Sequence, residues 1–441
     1  VLAMNQMVEK LKTLFAEEAS RSEKLRAEAY QDSLTGLANR RLFDIHLADR
    51  LTENEQYAEG YLLLLRVNDL GGLNQRLGGQ QTDALISAIG ECLKRLQAQH
   101  GNSDWLASRN RGGEFSLLAP GLTGEDADQL VSELCATLDN LRQTGASDCT
   151  PVAHLGLAAF KQGETVGSVF GRADQALAQA QSNPSKPWAR VDDFNSLPTQ
   201  GLHDWRTWID AALNQGKLQL YFQPVVECAA PQNILHRKVL ARLLDPQGEA
   251  IAAGRFLPWI ERLGWLARFD LAMLEHSLRH LNQHPQPLAL SLSAATLREP
   301  ASLARLLALL KNHPQHASLM TLEVDERHLP PAAELERFSQ AVRETGYRLG
   351  LQHFGGRFSL IGNLTHLGLA YLKIDGNYIR AIDQESDKRL FIEAMFRATN
   401  SIDLPLMAEM VETAGELQAL KELGIYAAMG RLIGAPAPWE D

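Results

Sequence analysis

The chain has 441 residues, of which 45% are hydrophobic and 22% are charged, and its formal net charge is −10. This length predicts two or three domains, and the composition is that of a soluble globular protein. The acidic balance argues against non-specific nucleic-acid binding, although one buried arginine can still hold a phosphate. The sequence shows neither an apolar run long enough to cross a bilayer nor a secretory signal. The four cysteines lack metal-ligand spacing, so we expect them to be reduced in a cytoplasmic environment.

The first 28 or so residues predict a single helix. Apolar residues recur at heptad spacing from Met4 to Leu14, and the seam turns polar at Glu18. A dimerising linker and a signalling helix whose apolar end docks elsewhere both fit this pattern. We assign residues 1–30 to this helix. Because Val1 already falls inside the pattern, we expect the chain to be a piece of a longer protein.

An α/β domain is predicted for residues 31–192. Strand-like runs at Tyr61–Val67 and Glu114–Ala119 are separated by helical patterns around Thr82–Gln97 and Ala127–Arg142. The proline-bearing stretch Gln181–Pro198 predicts a linker, and we place the domain boundary at residues 193–200.

Residues 201–441 predict a second domain in which apolar strands alternate with helices. This spacing over about 240 residues is typical of a single (β/α) barrel, so the fold class is α/β with two domains. The predicted strands are Leu218–Val226, Lys238–Leu244, Leu288–Leu292, Met320–Val324, Leu349–His353, Tyr371–Ile374 and Leu406–Glu409.

The first domain resembles the GGDEF diguanylate cyclases over nearly its whole length. The run Asp32–Arg41 matches the opening signature of that family, Arg111–Phe115 stands where the GGDEF hairpin belongs, and Ala173–Leu177 matches the late helix. The resemblance places Asn74, Gly78 and Asp83 where the family binds a guanine base. Residual GTP binding is therefore left open.

Cyclase chemistry requires divalent cations held by carboxylates, because hard cations prefer oxygen ligands. The resemblance implies that Arg66 and Gly113 stand where the family carries its metal-binding acids. It also implies that Gln181 replaces a phosphate-contacting lysine, and that Asn102 and Trp105 replace the feedback site. We therefore expect no cyclase activity.

The second domain resembles the EAL phosphodiesterases from end to end. Tyr221–Pro224 matches their first strand and Phe256–Glu261 matches the helix motif that follows. Lys238–Arg242 occupies the naming signature, which reads Glu-Ala-Leu-x-Arg in family members. Barrel strands present functional side chains at their C-terminal ends, where these motifs lie.

Hydrolysis in this family uses two metal ions held by a ring of oxygen ligands. At the positions that the resemblance assigns to this ring, the chain carries Lys238, Ser291, Gln352 and His353, and Met429 replaces a glutamine near the last strand. The resemblance therefore implies no metal centre, no catalytic residue and no cofactor. The residues retained at their family positions are Glu323, Lys373, Asp375 and Glu412.

The resemblance also assigns a ligand phosphate contact to Arg242. Each retained residue taken alone also fits a core, turn or ion-pair role, but together they favour binding of cyclic di-GMP. An ammonium at position 238 would supply part of the charge that metals supply, and would pair with Glu323; a structural pair remote from the ligand is the alternative. The candidate ligand-binding residues are Gln223, Lys238, Leu240, Arg242, Pro258, Glu261, Glu323, Lys373, Asp375 and Glu412.

Degeneracy in both domains behind a helical lead-in resembles the LapD-type receptors of the bacterial inner membrane. The resemblance implies that helix and cyclase-like domain restrain the barrel until cyclic di-GMP binds, which promotes homodimerisation and transmembrane signalling. The output partner would contact a part outside this chain, and this chain would be cytoplasmic. Two alternatives remain. One is a weak phosphodiesterase using His353, Glu323 and Asp375 as substitute metal ligands, and the other is a protein scaffold that binds no nucleotide.

Overall fold

The computed structural model describes most of both predicted domains. The described residues are 24, 27–52, 57–100, 104–143, 145–183, 186–192, 202–215, 218–244, 248–356 and 364–439. The helix predicted for residues 1–30 and the boundary at 193–200 lie almost entirely outside them. The chain divides into two compact units, one of residues 26–201 with 253–258 and one of residues 202–252 with 259–441.

The first unit is built on a sheet that has six strands in its described part, in the order β1-β3-β4-β2-β5-β6. Central strand β2 pairs antiparallel with β4 and β5, and its continuous apolar run is buried because helices cover both faces of the sheet. The strands are β1 (Ala38–Asn39), β2 (Glu59–Val67), β3 (Leu106–Arg111), β4 (Glu114–Pro120), β5 (Ala153–Lys161) and β6 (Trp188–Val191). The helices are α1 (Arg40–Leu51), α2 (Leu70–Leu77), α3 (Gly79–Gln99), α4 (Gly124–Gln143) and α5 (Val166–Ser182).

Strand β6 corrects the predicted linker. Trp188–Val191 pairs in parallel with β5, so the interpretation of Gln181–Pro198 as one linker is wrong for these four residues. The neighbouring Pro184 and Pro187 suggested a loop. A short edge strand needs only one hydrogen-bonded partner, so prolines beside it are tolerated.

The second unit is a barrel in which eight described strands close on themselves through the pairing of β8 with β10. The neighbours from β10 to β15 run parallel, whereas β7 runs antiparallel to both β8 and β15. A further strand, β9, extends the sheet from β8. The strands are β7 (Leu218–Glu227), β8 (Ile234–Leu244), β9 (Ala250–Ala252), β10 (Leu288–Leu292), β11 (Met320–Asp325), β12 (Arg348–Phe354), β13 (Leu372–Ile374), β14 (Leu406–Ala408) and β15 (Ala427–Ala428).

Helices follow most of these strands, as the alternating pattern predicted. Among the described residues, no helix combines the length and apolarity that crossing a membrane requires. The helices of this part of the chain are α6 (Leu202–Gln215), α7 (Ala253–Arg262), α8 (Leu266–Gln283), α9 (Ala294–Arg298), α10 (Pro300–Asn312), α11 (Ala332–Glu344), α12 (Gly376–Ile379), α13 (Ser386–Asn400) and α14 (Ala414–Glu422).

Candidate functional site

A buried lysine lies at the centre of the barrel. Lys238 on β8 donates from Nζ to Ser291 Oγ at 2.5 Å, to Gln352 Oε1 at 2.7 Å and to Glu323 Oε2. The register of β10, β11 and β12 brings these partners together. An ammonium group has three N–H donors, and all three are engaged here. We call this group, together with Lys373, the Lys238 centre.

The carboxylate of Glu323 is fully buried and serves two ammonium groups. Its second oxygen, Oε1, lies 2.5 Å from Lys373 Nζ and accepts a hydrogen bond from the Tyr371 hydroxyl at 2.6 Å. Burial alone would raise the pKa of Glu323, but Lys238 and Lys373 overcome it and hold the pKa below its usual value. Burial and the charge of Lys373 lower the pKa of nearby His236 to about 3, so that imidazole is neutral. Burial lowers the pKa of Lys238, although the Glu323 carboxylate opposes the shift. Because Lys238 Nζ donates to three oxygen acceptors at once, we assign it as an ammonium, so the centre holds two positive charges and one negative charge.

A second charged group surrounds His353, near the C-terminal end of β12. Its Nδ1 lies 3.0 Å from Glu409 Oε2 and 3.8 Å from Asp375 Oδ2, and its Nε2 lies 3.9 Å from Asp325 Oδ2. Burial disfavours the imidazolium, but the Glu409 and Asp325 carboxylates outweigh burial and raise the pKa of His353 to about 9. The side chain is therefore a cation at neutral pH. We call these four residues the His353 centre.

Three further predicted residues share a face of the barrel wall with Lys238. Gln223 on β7 is the register partner of Lys238 and donates from Nε2 to Gly434 O at 3.0 Å. Leu240 and Arg242 follow Lys238 at alternate positions of β8, so they lie on the same face. The guanidinium of Arg242 is buried and lies 4.7 Å from the centre of the Tyr221 ring.

The remaining predicted residues lie outside both centres. Glu412 forms an ion pair with Arg380, and this hydrogen-bonded partner lowers the pKa of Glu412. Pro258 and Glu261 lie on helix α7. Of the ten candidate ligand residues, the structure thus brings Lys238, Glu323 and Lys373 into contact and places Asp375 beside His353.

The substitute metal set His353, Glu323 and Asp375 is not assembled. Glu323 belongs to the Lys238 centre, whereas Asp375 belongs to the His353 centre. Within the described ranges, no cluster of three or more His, Cys, Asp or Glu side chains is arranged to hold a metal ion.

Sequence reasoning missed Glu409, Asp325 and Tyr371. Glu409 closes the predicted strand Leu406–Glu409, and an acidic residue at the C-terminal end of a barrel strand is a usable signal. Asp325 ends β11 in the same way. Nothing in the sequence distinguishes Tyr371 from an ordinary core tyrosine.

In the first unit, Arg66 also pairs with a carboxylate. Its Nη2 lies 2.9 Å from Glu114 Oε1, its register partner across β2 and β4. Asn74 and Asp83, the candidate guanine contacts, are exposed on α2 and α3. Gly78 ends α2 with a φ of 83° and donates to Asn74 O, which accounts for this glycine structurally.

Comparison with known protein families identifies both domains. The EAL domain family matches residues 206–436, more than half of the chain, and the diguanylate cyclase GGDEF domain family matches residues 29–186. The chain is a GGDEF–EAL protein. The predicted family membership and fold class are therefore confirmed.

The curated relatives of this GGDEF–EAL protein have names that describe different functions. It is 23% identical over 420 residues to the RNase E specificity factor CsrD of Escherichia coli, a match that covers 94% of this chain and 64% of the relative. It is 26% identical over 431 residues to the bifunctional diguanylate cyclase/cyclic di-GMP phosphodiesterase MucR of Pseudomonas aeruginosa, covering 94% and 61%. The chain thus spans less than two thirds of the length of either relative.

Solved structures support the same two-domain fold. The apo S helix-GGDEF-EAL portion of Vibrio cholerae LapD superimposes with a TM-score of 0.81 at 20% identity, covering 95% of this chain and 99% of LapD. The portion bound to c-di-GMP gives a TM-score of 0.53 at 22% identity, covering 95% and 100%.

Proposed function

We propose that this GGDEF–EAL protein is a receptor that binds cyclic di-GMP in its barrel and neither makes nor hydrolyses it. The observation that carries the proposal is the charge at the two barrel centres. Lys238 and His353 stand at positions that the family resemblance assigns to metal ligands, and each is a cation with carboxylate partners of its own.

Loss of hydrolysis follows from the chemistry of these nitrogens. A metal ligand must offer a lone pair, and neither an ammonium nor an imidazolium has one to offer. A positive side chain also repels a divalent cation. Without a metal, the barrel lacks the group that would activate water against a phosphodiester.

Retained binding follows from the excess positive charge of the Lys238 centre. Lys238 and Lys373 together exceed Glu323 by one charge, which favours a ligand with two anionic phosphodiesters. Because all three donors of Lys238 are engaged, we expect it to act on the ligand through charge, and Arg242 to supply the direct phosphate contact.

Calorimetry of the whole chain with cyclic di-GMP in excess EDTA tests this function. We expect binding, and a loss of roughly 10- to 100-fold in affinity for Arg242→Ala, the scale of one charge-assisted contact. Arg237→Ala is the matched control, because this arginine lies on the other face of β8 and donates to Gln286. Absence of binding to the wild type favours the scaffold, and linear product formed with Mn²⁺ favours the phosphodiesterase.

We further propose that residues 1–28 and the GGDEF domain restrain the barrel until ligand binds, with homodimerisation and transmembrane signalling as the outcome. The solved LapD chains, which carry an S helix before the same two domains, support this reading. By linkage, a helix that weakens ligand binding is itself displaced by ligand. Deleting residues 1–28 should therefore raise the affinity for cyclic di-GMP, and an unchanged affinity would count against restraint.

A further inference from the structure

Three carboxylates at the C-terminal ends of three barrel strands converge on the ring of His353. Asp325 ends β11, Asp375 follows β13 and Glu409 follows β14, and each lies within 3.9 Å of a ring nitrogen. Convergent carboxylates repel one another unless a cation lies among them. A single positive group of this kind, reached by several oxygens, is the arrangement that proteins otherwise provide for a divalent cation.

The three carboxylates differ in the ion pairs and hydrogen bonds that balance their charge. Asp325 is also paired with Arg327 at 2.5 Å, and Asp375 accepts hydrogen bonds from Asn377 N and Nδ2 at 2.9 and 2.7 Å. Glu409 Oε2 is buried and makes no hydrogen bond among the described residues, so its charge is balanced by the His353 ion pair. His328 Nδ1 also approaches Asp325 Oδ2, at 3.8 Å.

The backbone places the His353 ring among these carboxylates. The pairing of β12 with β13 is irregular between Leu351 and Phe354, and within this irregularity His353 has a φ of 53°. Histidine occupies this left-handed region more readily than most residues. A bulge of this kind redirects the side chain that it carries.

We infer that the His353 imidazolium permanently takes the place of a divalent cation among Asp325, Asp375 and Glu409. The mouth of the barrel is then held together by a side chain and needs no metal. The inference deepens the proposed function, because it explains how three carboxylates of the barrel can lie close together without metal ions. It is nevertheless tested without the dinucleotide.

The test compares Mn²⁺ binding and thermal unfolding of the whole chain for the wild type and for His353→Asn. Asparagine is chosen because it tolerates the left-handed backbone, so that only the cation is lost. We expect the EDTA-treated wild type to bind no Mn²⁺ and to keep its midpoint when Mn²⁺ is added. The variant should unfold at a lower temperature in EDTA, and its midpoint should rise by roughly 5 °C or more at saturating Mn²⁺.

His328→Asn is the matched control, because it removes a neighbouring imidazole and leaves His353 in place. It should resemble the wild type in both measurements. Stoichiometric Mn²⁺ binding by the wild type would overturn the inference, and so would a His353→Asn variant whose stability and metal response are those of the wild type. A variant that folds only when Mn²⁺ is present supports it. If the variant folds under neither condition, the wild-type titration still decides. Failure to bind cyclic di-GMP would contradict the proposed function but would leave the inference about His353 unaffected.

Discussion

The charges of the Lys238 centre predict which of two substitutions, Lys238→Met or Glu323→Gln, destabilises the protein more. The wild type holds Lys238 and Lys373 around Glu323 in a buried site. Replacing Lys238 with methionine leaves one neutral ion pair. Replacing Glu323 with glutamine leaves two buried ammonium groups facing each other without an anion. Unpaired buried charge is costly, so we expect Glu323→Gln to lower the free energy of unfolding by about 3–5 kcal/mol and Lys238→Met to lower it by less.

Urea unfolding of both variants measures this order. Glu336→Gln serves as the control, since it makes the same change on an exposed position of helix α11 and should stay within about 0.5 kcal/mol of the wild type. If Lys238→Met proves the more damaging substitution, the hydrogen bonds of the ammonium to Ser291 and Gln352 outweigh the charge balance.

The sequence does not predict the contacts of residues whose partners lie on other strands. Position 238 carries a lysine in a recognisable motif, so its departure from the family is visible at once. Its three partners depend on the register of β10, β11 and β12, which no local pattern records. For the same reason the sequence leaves His353 open as a substitute metal ligand in the phosphodiesterase alternative, whereas in the structure three carboxylates surround its ring.

Among the elements, the short helix α9 depends on a carboxylate from another helix. Ser293, its N-cap residue, makes no side-chain cap of its own. Asp270 on α8 instead accepts hydrogen bonds from Ser293 N and Oγ, both at 2.7 Å, and from Thr296 Oγ1 at 2.6 Å. This contact fixes the loop that follows Ser291 of the Lys238 centre.

The burial of Asp270 makes this contact dependent on pH. Burial raises the pKa of Asp270 to about 6, although the hydrogen bonds from Thr296 and Ser293 oppose the rise. Because the folded state holds the proton more tightly than the unfolded state, the contribution of Asp270 to stability is fully present below about pH 4 and is lost as the pH rises to about 6. The expected loss is on the order of 3 kcal/mol.

Comparison with Asp270→Asn isolates this effect, because other carboxylates titrate in both proteins. The difference between their unfolding free energies should change between pH 4 and pH 7 and be constant above pH 7. A difference that stays constant across the whole range would show that Asp270 titrates normally.

The sequence predicted the order of the barrel strands and helices better than the direction in which each strand runs. Most barrel strands lie within a few residues of their predicted bounds, because strands alternate with helices at a regular spacing. The antiparallel course of β7 was not predicted, since the same side-chain pattern fits a strand running either way. Strand β6 was missed because four residues between prolines carry too little pattern.

At the scale of the whole molecule, the same replacement recurs in both units. Arg66 pairs with Glu114 in the GGDEF domain, Lys238 with Glu323 in the barrel, and His353 with Glu409. In each case a basic side chain neutralises a carboxylate where the family resemblance implies a metal ligand. Both domains thus keep their fold, and under the proposed function this charge pattern keeps divalent cations out.

The proposed function holds that charge replacement keeps metals out of the barrel, so reversing the replacement should restore metal chemistry. We expect the combined variant Lys238→Glu, Ser291→Asn, Gln352→Asp and His353→Asp to bind Mn²⁺ and to release linear product from cyclic di-GMP, since these changes return oxygen ligands to a barrel that retains Glu323 and Arg242. Chromatography of the reaction mixture measures the product. Adding Glu323→Gln to the same variant is the control, because it removes one further oxygen ligand and should abolish the gain. Mn²⁺ binding without product would mean that the loss of activity extends beyond the metal ligands, to the alignment of the dinucleotide itself.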